Sequence, residues 1–230
     1  MNKNFIYIFC NLFLSYMLLA QTEEDIRPTN EFDRPHGTWI LFQSNQVPKS
    51  VIQYKNGKRH GNYLEWNTQG RLVLRHQYVN DTLNGLQTNF AGNGNRLKVY
   101  NYKMGVLEGL QQVFDSNEKI LESGYYVNGI KDGLFAWYFS NGKLATEYIY
   151  KNGKIEGDVL YYHEDGIQMK SRMTYVNNLR HGNYFEYYSN GVLKVQGKFK
   201  EDKKEGKWLY FSENATLERT EKYKKGSKKE

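Results

Sequence analysis

The sequence contains very little cysteine and proline, with one Cys and three Pro among 230 residues. The single Cys10 lies in an N-terminal segment that we expect to be removed, so the mature chain would carry no thiol and form no disulfide. After residue 20 no stretch has the length and periodicity of a helix. Aromatic residues are abundant at 16%, which excludes a disordered polymer and favours β-strands.

The first twenty residues have the features of a secretory signal peptide. Lys3 supplies a positive charge, residues 5–20 are largely apolar, and Ala20 is a small residue before a cleavage point near Gln21. The alternative is an uncleaved anchor, although the apolar stretch is shorter than the roughly 20 residues that a spanning helix needs. We expect residues 1–20 to be a signal peptide and the protein to be secreted or held in the periplasm or cell envelope.

Positive charge is concentrated at the C-terminal end. The formal net charge is +7, and residues 219–230 carry six basic and two acidic side chains. A basic end of this kind suits an acidic partner or an anionic membrane, and the alternative is a solvated end that keeps the protein soluble. The rest of the chain is close to neutral.

A glycine returns every 24 residues along the chain. Six of its seven spacings are 24 residues and one is 25, so the period holds over eight repeats. A fixed period of roughly 20–50 residues indicates a repeat architecture, in which neighbouring repeats pack on each other in one elongated body. These reference glycines are Gly37, Gly61, Gly85, Gly109, Gly133, Gly157, Gly182 and Gly206.

Positions counted from each reference glycine keep their residue type. Position +5 is aromatic in all eight repeats, and position +17 is aromatic in seven, with Tyr175 one residue later in the sixth. Glycine marks a turn at +9 in five repeats, and Asn-Gly or similar pairs mark a second turn at +19 and +20. Tight hairpins need positive φ angles there, which Asn and Gly accept. Each repeat therefore predicts two strands and two tight turns.

Tight turns join antiparallel neighbours, so the predicted fold is all-β. We expect an elongated single-layer antiparallel β-sheet, a meander of about sixteen strands in β-hairpins from eight repeats of about 24 residues. The repeat domain spans residues 36–226, after an N-terminal linker at 21–35 and before a basic C-terminal tail at 227–230. The repeats start near residues 36, 60, 84, 108, 132, 156, 181 and 205.

The repeat resembles the MORN repeat in two patterns, Gly-x-Tyr-x-x-Trp at residues 61–66 and Tyr-x-Asn-Gly at residues 54–57. It is more similar to the variant form of that repeat, found in bacterial secreted proteins and in a family labelled as antitoxin components. The resemblance covers about residues 36–226. It implies a scaffold that binds proteins, or in some cases lipids, along an open β surface, and the antitoxin label implies toxin binding.

Residues that could carry chemistry occupy structural positions of the repeat. His36, His60 and His181 precede reference glycines, but equivalent positions in adjacent repeats are two strands, about 10 Å, apart, which is too far to share a zinc ion. Glu65 and Glu186 share position +4, yet no long insertion builds a catalytic cleft around them. The chain has no nucleophile elbow or phosphate loop. We expect no enzyme activity, no catalytic residue, no metal and no cofactor.

Aromatic residues at positions +2 and +4 form the candidate partner-binding face. They point away from +3 and +5 in a regular strand, and a single-layer sheet cannot bury both faces in itself, so one face is left for a protein or a glycan. The alternative is that these rings pack on one another and on Lys and Arg stems. The candidate residues are Trp39, Tyr63, Phe135, Trp137, Tyr161, Tyr184, Trp208 and Tyr210.

The sequence thus predicts a secreted or envelope, non-catalytic repeat scaffold that binds an unidentified protein through an aromatic face of its sheet. Two alternatives stay open. One is binding of a cell-envelope glycan or an anionic lipid through the aromatic rows and the basic end. The other is an antitoxin-like inhibitor of a protein toxin. We expect no nucleic-acid partner.

Overall fold

The computed structural model describes residues 25–230, and the predicted signal peptide lies outside this range. The described residues form twenty β-strands and no helix, so this part of the chain holds no helical segment that could span a membrane. The strands are β1 (Gly37–Phe42), β2 (Pro48–Lys55), β3 (Lys58–Trp66), β4 (Leu72–Val79), β5 (Thr82–Leu83), β6 (Gly85–Phe90), β7 (Arg96–Lys103), β8 (Val106–Leu107), β9 (Gly109–Phe114), β10 (Ile120–Val127), β11 (Ile130–Tyr138), β12 (Leu144–Lys151), β13 (Lys154–Ile155), β14 (Gly157–Tyr162), β15 (Met169–Val176), β16 (Leu179–Tyr187), β17 (Leu193–Lys200), β18 (Lys203–Phe211), β19 (Leu217–Lys224) and β20 (Ser227–Lys229).

The described residues divide into two compact units, residues 25–82 with 92–94 and residues 83–91 with 95–230. In the first unit, β1 to β4 pair antiparallel in chain order. Residues predicted as a linker lie along β1: the amide of Ile26 donates to the carbonyl of Ile40 at 2.9 Å, and the amide of Ile40 donates back at 2.8 Å. This pairing occupies an edge of β1 that would otherwise be open to another chain.

The second unit continues as an antiparallel meander, which confirms the predicted all-β fold of hairpins. The described residues form twenty strands where sixteen were predicted. β5, β8 and β13 are short pieces separated from the strands that follow them, and Ser227–Lys229 of the predicted basic tail pairs with β19 as β20.

Six of the eight reference glycines lie at a β-bulge: Gly61, Gly109, Gly133, Gly157, Gly182 and Gly206. Gly133 has a φ of 104°, and around it the register passes from Gly124↔Phe135 to Tyr126↔Lys131, so β11 carries two more residues than β10 over this stretch. All eight reference glycines have φ between 72° and 122°, where other residues are strained. Because the bulge adds an even number of residues, Lys131 and Phe135 stay on the same face of the sheet.

Alternation of side chains gives the sheet two faces within each unit. Positions +2 and +4 share a face with +15 and +17, as the direct pair Phe135↔Tyr148 shows. We call this the aromatic face. Positions +1 and +3 share the other face with +14 and +16, as the direct pair Leu134↔Ile149 shows. We call this the opposite face.

Candidate interaction surfaces

All eight predicted partner-binding residues lie on the aromatic face, but two of them are inaccessible. Phe135 and Trp208 are only 1% and 2% exposed. Neither ring presents surface to a partner, and this corrects the sequence-based prediction for these two residues. The other six are half-buried: Trp39, Tyr63, Trp137, Tyr161, Tyr184 and Tyr210.

Mid-strand glycines explain why Phe135 and Trp208 are buried. A Cβ atom added to Gly124 would lie 2.2 Å from the ring of Phe135, and one added to Gly197 would lie 2.3 Å from the ring of Trp208. Each ring therefore rests directly on the backbone of the neighbouring strand. Neither glycine has a positive φ, so it is the close approach of the ring that requires glycine at these two positions.

The buried rings also pack against other rings of the aromatic face. Phe135 lies 4.9 Å from Tyr150 between ring centres, in an edge-on arrangement. Trp208 makes an edge-on contact of the same kind with Phe199 at 5.0 Å and a tilted one with Tyr184 at 5.6 Å. Such pairs contribute about 0.5–1.5 kcal/mol each beyond the burial of area, so the aromatic face is itself part of the core.

Cations from the position two residues before the reference glycine cover the rings. Lys131 Nζ lies 4.6 Å from the ring centre of Phe135, and Lys204 Nζ lies 4.1 Å from that of Trp208. In the first unit the guanidinium of Arg59 lies 4.1 Å from the ring of Tyr78. Contacts of this kind are attractive, and they occupy the ring face that a sugar or a ligand cation would need. These rings pack on one another and on basic side chains, as the alternative prediction states.

Tyrosine hydroxyl groups are held neutral by burial and by carboxylates. The hydroxyl of Tyr184 donates to Glu186 at 2.9 Å, and Lys194 Nζ lies 2.8 Å from the same carboxylate. Burial and this hydrogen bond raise the pKa of Tyr184 above its usual value. On the opposite face, burial and a 2.7 Å hydrogen bond to Glu147 raise the pKa of Tyr162 to about 12.

The raised tyrosine pKa values predict an alkaline unfolding transition. A tyrosine of the unfolded chain ionises near pH 10, whereas the folded chain keeps these hydroxyls neutral to higher pH. Their contribution to stability is therefore complete below about pH 10 and is lost as the pH rises through the folded-state pKa. In a titration, tyrosinate absorbance is expected to rise together with loss of the β-sheet circular dichroism signal. Ionisation near pH 10 with an unchanged dichroism spectrum would contradict this.

The polar side chain before the reference glycine caps a hairpin turn in six of the eight repeats. Nδ1 of His36 accepts a hydrogen bond from the amide of Asn56 at 3.4 Å, and the carboxylate of Glu108 accepts one from the amide of Asn128 at 2.8 Å. A histidine in one repeat and a carboxylate in another thus accept the equivalent hydrogen bond from a turn amide. Within residues 25–230, no three His, Cys, Asp or Glu side chains lie close enough together to hold a metal ion.

The opposite face of the second unit carries a row of exposed apolar side chains that the sequence analysis did not single out. Leu110 pairs directly with Tyr125, and Leu134 pairs with Ile149. The two pairs adjoin, because a Cβ atom at Gly133 would lie 3.4 Å from that of Tyr125. With exposures between 39% and 50%, the members of this row, which we call the exposed row, are Leu86, Leu110, Tyr125, Leu134 and Ile149.

The fold and its fixed period define a β-hairpin repeat protein. Residues 107–128, 131–152 and 180–201 match the family model described as "MORN repeat variant". The chain is a MORN-type repeat protein, as its sequence predicts, and therefore a repeat scaffold in its general organisation.

No curated protein matches the chain. Among the solved structures that match, one is a crystal structure of an S. aureus TarM mutant in complex with Fondaparinux, alpha-GlcNAc-glycerol and UDP. The two sequences are 12% identical, the match covers 64% of this chain and 24% of that chain, and the TM-score is 0.26. The chain spans about a quarter of that protein's length, and a likeness at this TM-score carries no argument about fold or function.

Proposed function

We propose that this chain is a non-catalytic repeat scaffold, secreted or held in the cell envelope, that binds a protein partner through a face of its sheet. The observation that supports the proposal is the exposed row on the opposite face. Monomeric proteins rarely expose a contiguous apolar patch larger than roughly a few hundred Å², and patches above that size mark interaction sites. Secretion rests on the signal-peptide features of residues 1–20.

Covering the exposed row contributes favourable free energy to a complex. Complete burial of a leucine or isoleucine side chain contributes about 1.5–3 kcal/mol relative to full exposure, so covering the exposed half adds roughly 1 kcal/mol per residue. Val127 and Ile130, a direct pair with exposures of 47% and 50%, lie beside the row and widen the patch. At its centre stands Tyr125, a residue type enriched among those that dominate binding energy.

The aromatic face is less suited to binding through its largest rings. A sugar stacks on an open ring face, whereas Lys131 and Lys204 already cover Phe135 and Trp208. Glycan binding therefore has less support than protein binding on the opposite face. Antitoxin-like inhibition would be one form of this protein binding, with a toxin as the partner.

Site-specific photo-crosslinking tests the proposal. A benzoylphenylalanine probe replaces Leu134 on the opposite face, and the full chain is exposed to the extracellular and envelope fraction of its native source. The expected result is a discrete protein adduct, because the probe would lie inside the interface. The matched control is Asn62, an exposed residue at the same +1 position in the second repeat. An equal adduct from Asn62 would show that contact does not depend on the exposed row.

A further inference from the structure

The exposed row continues along the opposite face into a basic segment. Three of the four +1 and +16 positions in the last two repeats hold exposed lysines, Lys198, Lys207 and Lys222, and the fourth holds Asn183. Lys207 pairs directly with Lys222 across β18 and β19. The same row of the sheet therefore changes from apolar to basic within the second unit.

The charges of these three lysines are only partly offset by a neighbouring carboxylate, that of Glu205. They take part in none of the ion pairs among residues 25–230. Glu205, the register partner of Lys198, keeps its negative charge while its carboxylate accepts the amide of Lys225 at 2.7 Å, so the three lysines and Glu205 together carry a net charge of +2. A group of like charges on one surface creates a positive potential that attracts an anionic partner.

The part of the row between the apolar and basic segments is electrically neutral. Its carboxylate, Asp158, forms an ion pair with Arg172 and accepts a hydrogen bond from the hydroxyl of Thr174 at 2.7 Å. The charge of Asp158 is thus compensated inside the chain. An acidic partner that passes over this point meets little repulsion.

We propose that the partner is a protein segment with an apolar end and an acidic end, lying along this row. The inference rests on the proposed function, because it takes the exposed row as the binding site and adds the chemistry of its occupant. Apolar side chains of the partner cover Leu134 and Ile149, while its carboxylates approach Lys207 and Lys222. This arrangement matches both polarity and charge, which sets the register and the specificity of an interface.

The dimensions of the row fit a short segment. The part of the row from Leu110 on β9 to Lys222 on β19 crosses ten strands, with β13 and β14 counted as one, and the nine spacings of about 4.8 Å give about 43 Å. An extended chain advances about 3.3 Å per residue, so about 13 residues span the row. One contiguous stretch of the partner is therefore long enough to cover this part of the row.

A second copy of this chain lacks the matching chemistry. A two-fold interface brings the same surface together from both copies, so the row would have to complement itself. At positions +1 and +16 the chain offers lysines, apolar residues and neutral polar residues, and the single carboxylate among them, Asp158, is already paired. An anionic membrane could also approach the lysines, and the test below separates it from a protein segment.

Synthetic peptides of about 13 residues, matched to the row length, test the inference. One has a leucine-rich half and a glutamate-rich half, and its twin has lysine in place of glutamate. Fluorescence anisotropy with the full chain is expected to show binding of the acidic peptide that weakens as salt is raised. Lys207→Glu is expected to weaken binding about fivefold, whereas Lys98→Glu, the same change at an exposed lysine on the aromatic face, leaves it unchanged. Leu134→Asp is expected to remove binding.

The other outcomes overturn the inference in distinguishable ways. If Leu134→Asp removes binding but Lys207→Glu does not, the row binds apolar segments of any charge, and only the acidic specificity is wrong. If Lys207→Glu weakens peptide binding and Leu134→Asp does not, the exposed row is not the binding site. Displacement of the peptide by phosphatidylserine vesicles would assign the lysines to a membrane. If no peptide binds, the stated partner chemistry is wrong, while crosslinking from Leu134 still decides the proposed function by itself.

Discussion

Replacement of Trp208 by alanine is expected to lower the free energy of unfolding by about 3–5 kcal/mol, because it leaves a cavity in a packed cluster. The ring is 2% exposed and contacts Phe199, Tyr184 and Tyr223, with Lys204 above it. Urea denaturation followed by circular dichroism measures the change. Trp208→Phe is expected to cost less, because it keeps a ring and removes Nε1–H, which is buried without a hydrogen-bond partner.

The control for this substitution is Trp137→Ala on the same face of the second unit. Trp137 is half-buried, so part of its ring is already in water and its loss leaves a smaller cavity. A cost for Trp208→Ala below about 1 kcal/mol, or one equal to that of Trp137→Ala, would show that Trp208 is not a core residue.

Addition of one methyl group at Gly197 is the second change with a large expected effect. The new Cβ would lie 2.3 Å from the ring of Trp208, so Gly197→Ala forces the ring away from the backbone that it contacts. Overpacking of this kind costs about 1–3 kcal/mol. Gly92→Ala is the control, because nothing lies within 4 Å of a Cβ added there and its φ is not positive.

The double variant Gly197→Ala/Trp208→Ala shows whether the ring is the cause. Once the ring is gone, the added methyl group has nothing to displace, so the two costs should not add. We expect Gly197→Ala to cost far less in the Trp208→Ala background than in the native chain. Full additivity would mean that Gly197 is required for another reason.

The repeat and its turns could be predicted from sequence because backbone conformation limits the choice of residue. Asn128 and Gly129 have φ of 50° and 77° in one hairpin turn, and Gly133 has 104° at the bulge. Asn and Gly are the residues that accept such angles, so their spacing reports the fold directly. The aromatic residues at position +5 are fully buried only at Phe114, and the other seven are half-buried.

Packing of the aromatic face could not be predicted from alternation alone. Alternation assigns Phe135 and Trp208 to a face but does not say whether that face is covered. The ammonium groups of Lys131 and Lys204 lie over these rings on one side. On the other side each ring contacts the backbone of a glycine on the neighbouring strand, such as Gly197. A mid-strand glycine at position +15 followed by an aromatic residue at the next +2 is the available signal.

The exposed row could not be predicted because an apolar residue at +1 is as consistent with a buried core position as with an exposed one. Leucine occupies this position in three consecutive repeats, at Leu86, Leu110 and Leu134. Whether such residues are buried depends on what covers the second side of the sheet, and alternation within one chain carries no information about that. Their exposure became visible only in the structure.

Photo-crosslinking from β11 tests the division of the two faces most directly. Leu134 and Trp137 lie three residues apart on this strand and point to opposite faces. With the same probe at each position in turn, the account predicts a discrete protein adduct from Leu134 and none from Trp137. An adduct from Trp137 with none from Leu134 would place the partner on the aromatic face and contradict the account.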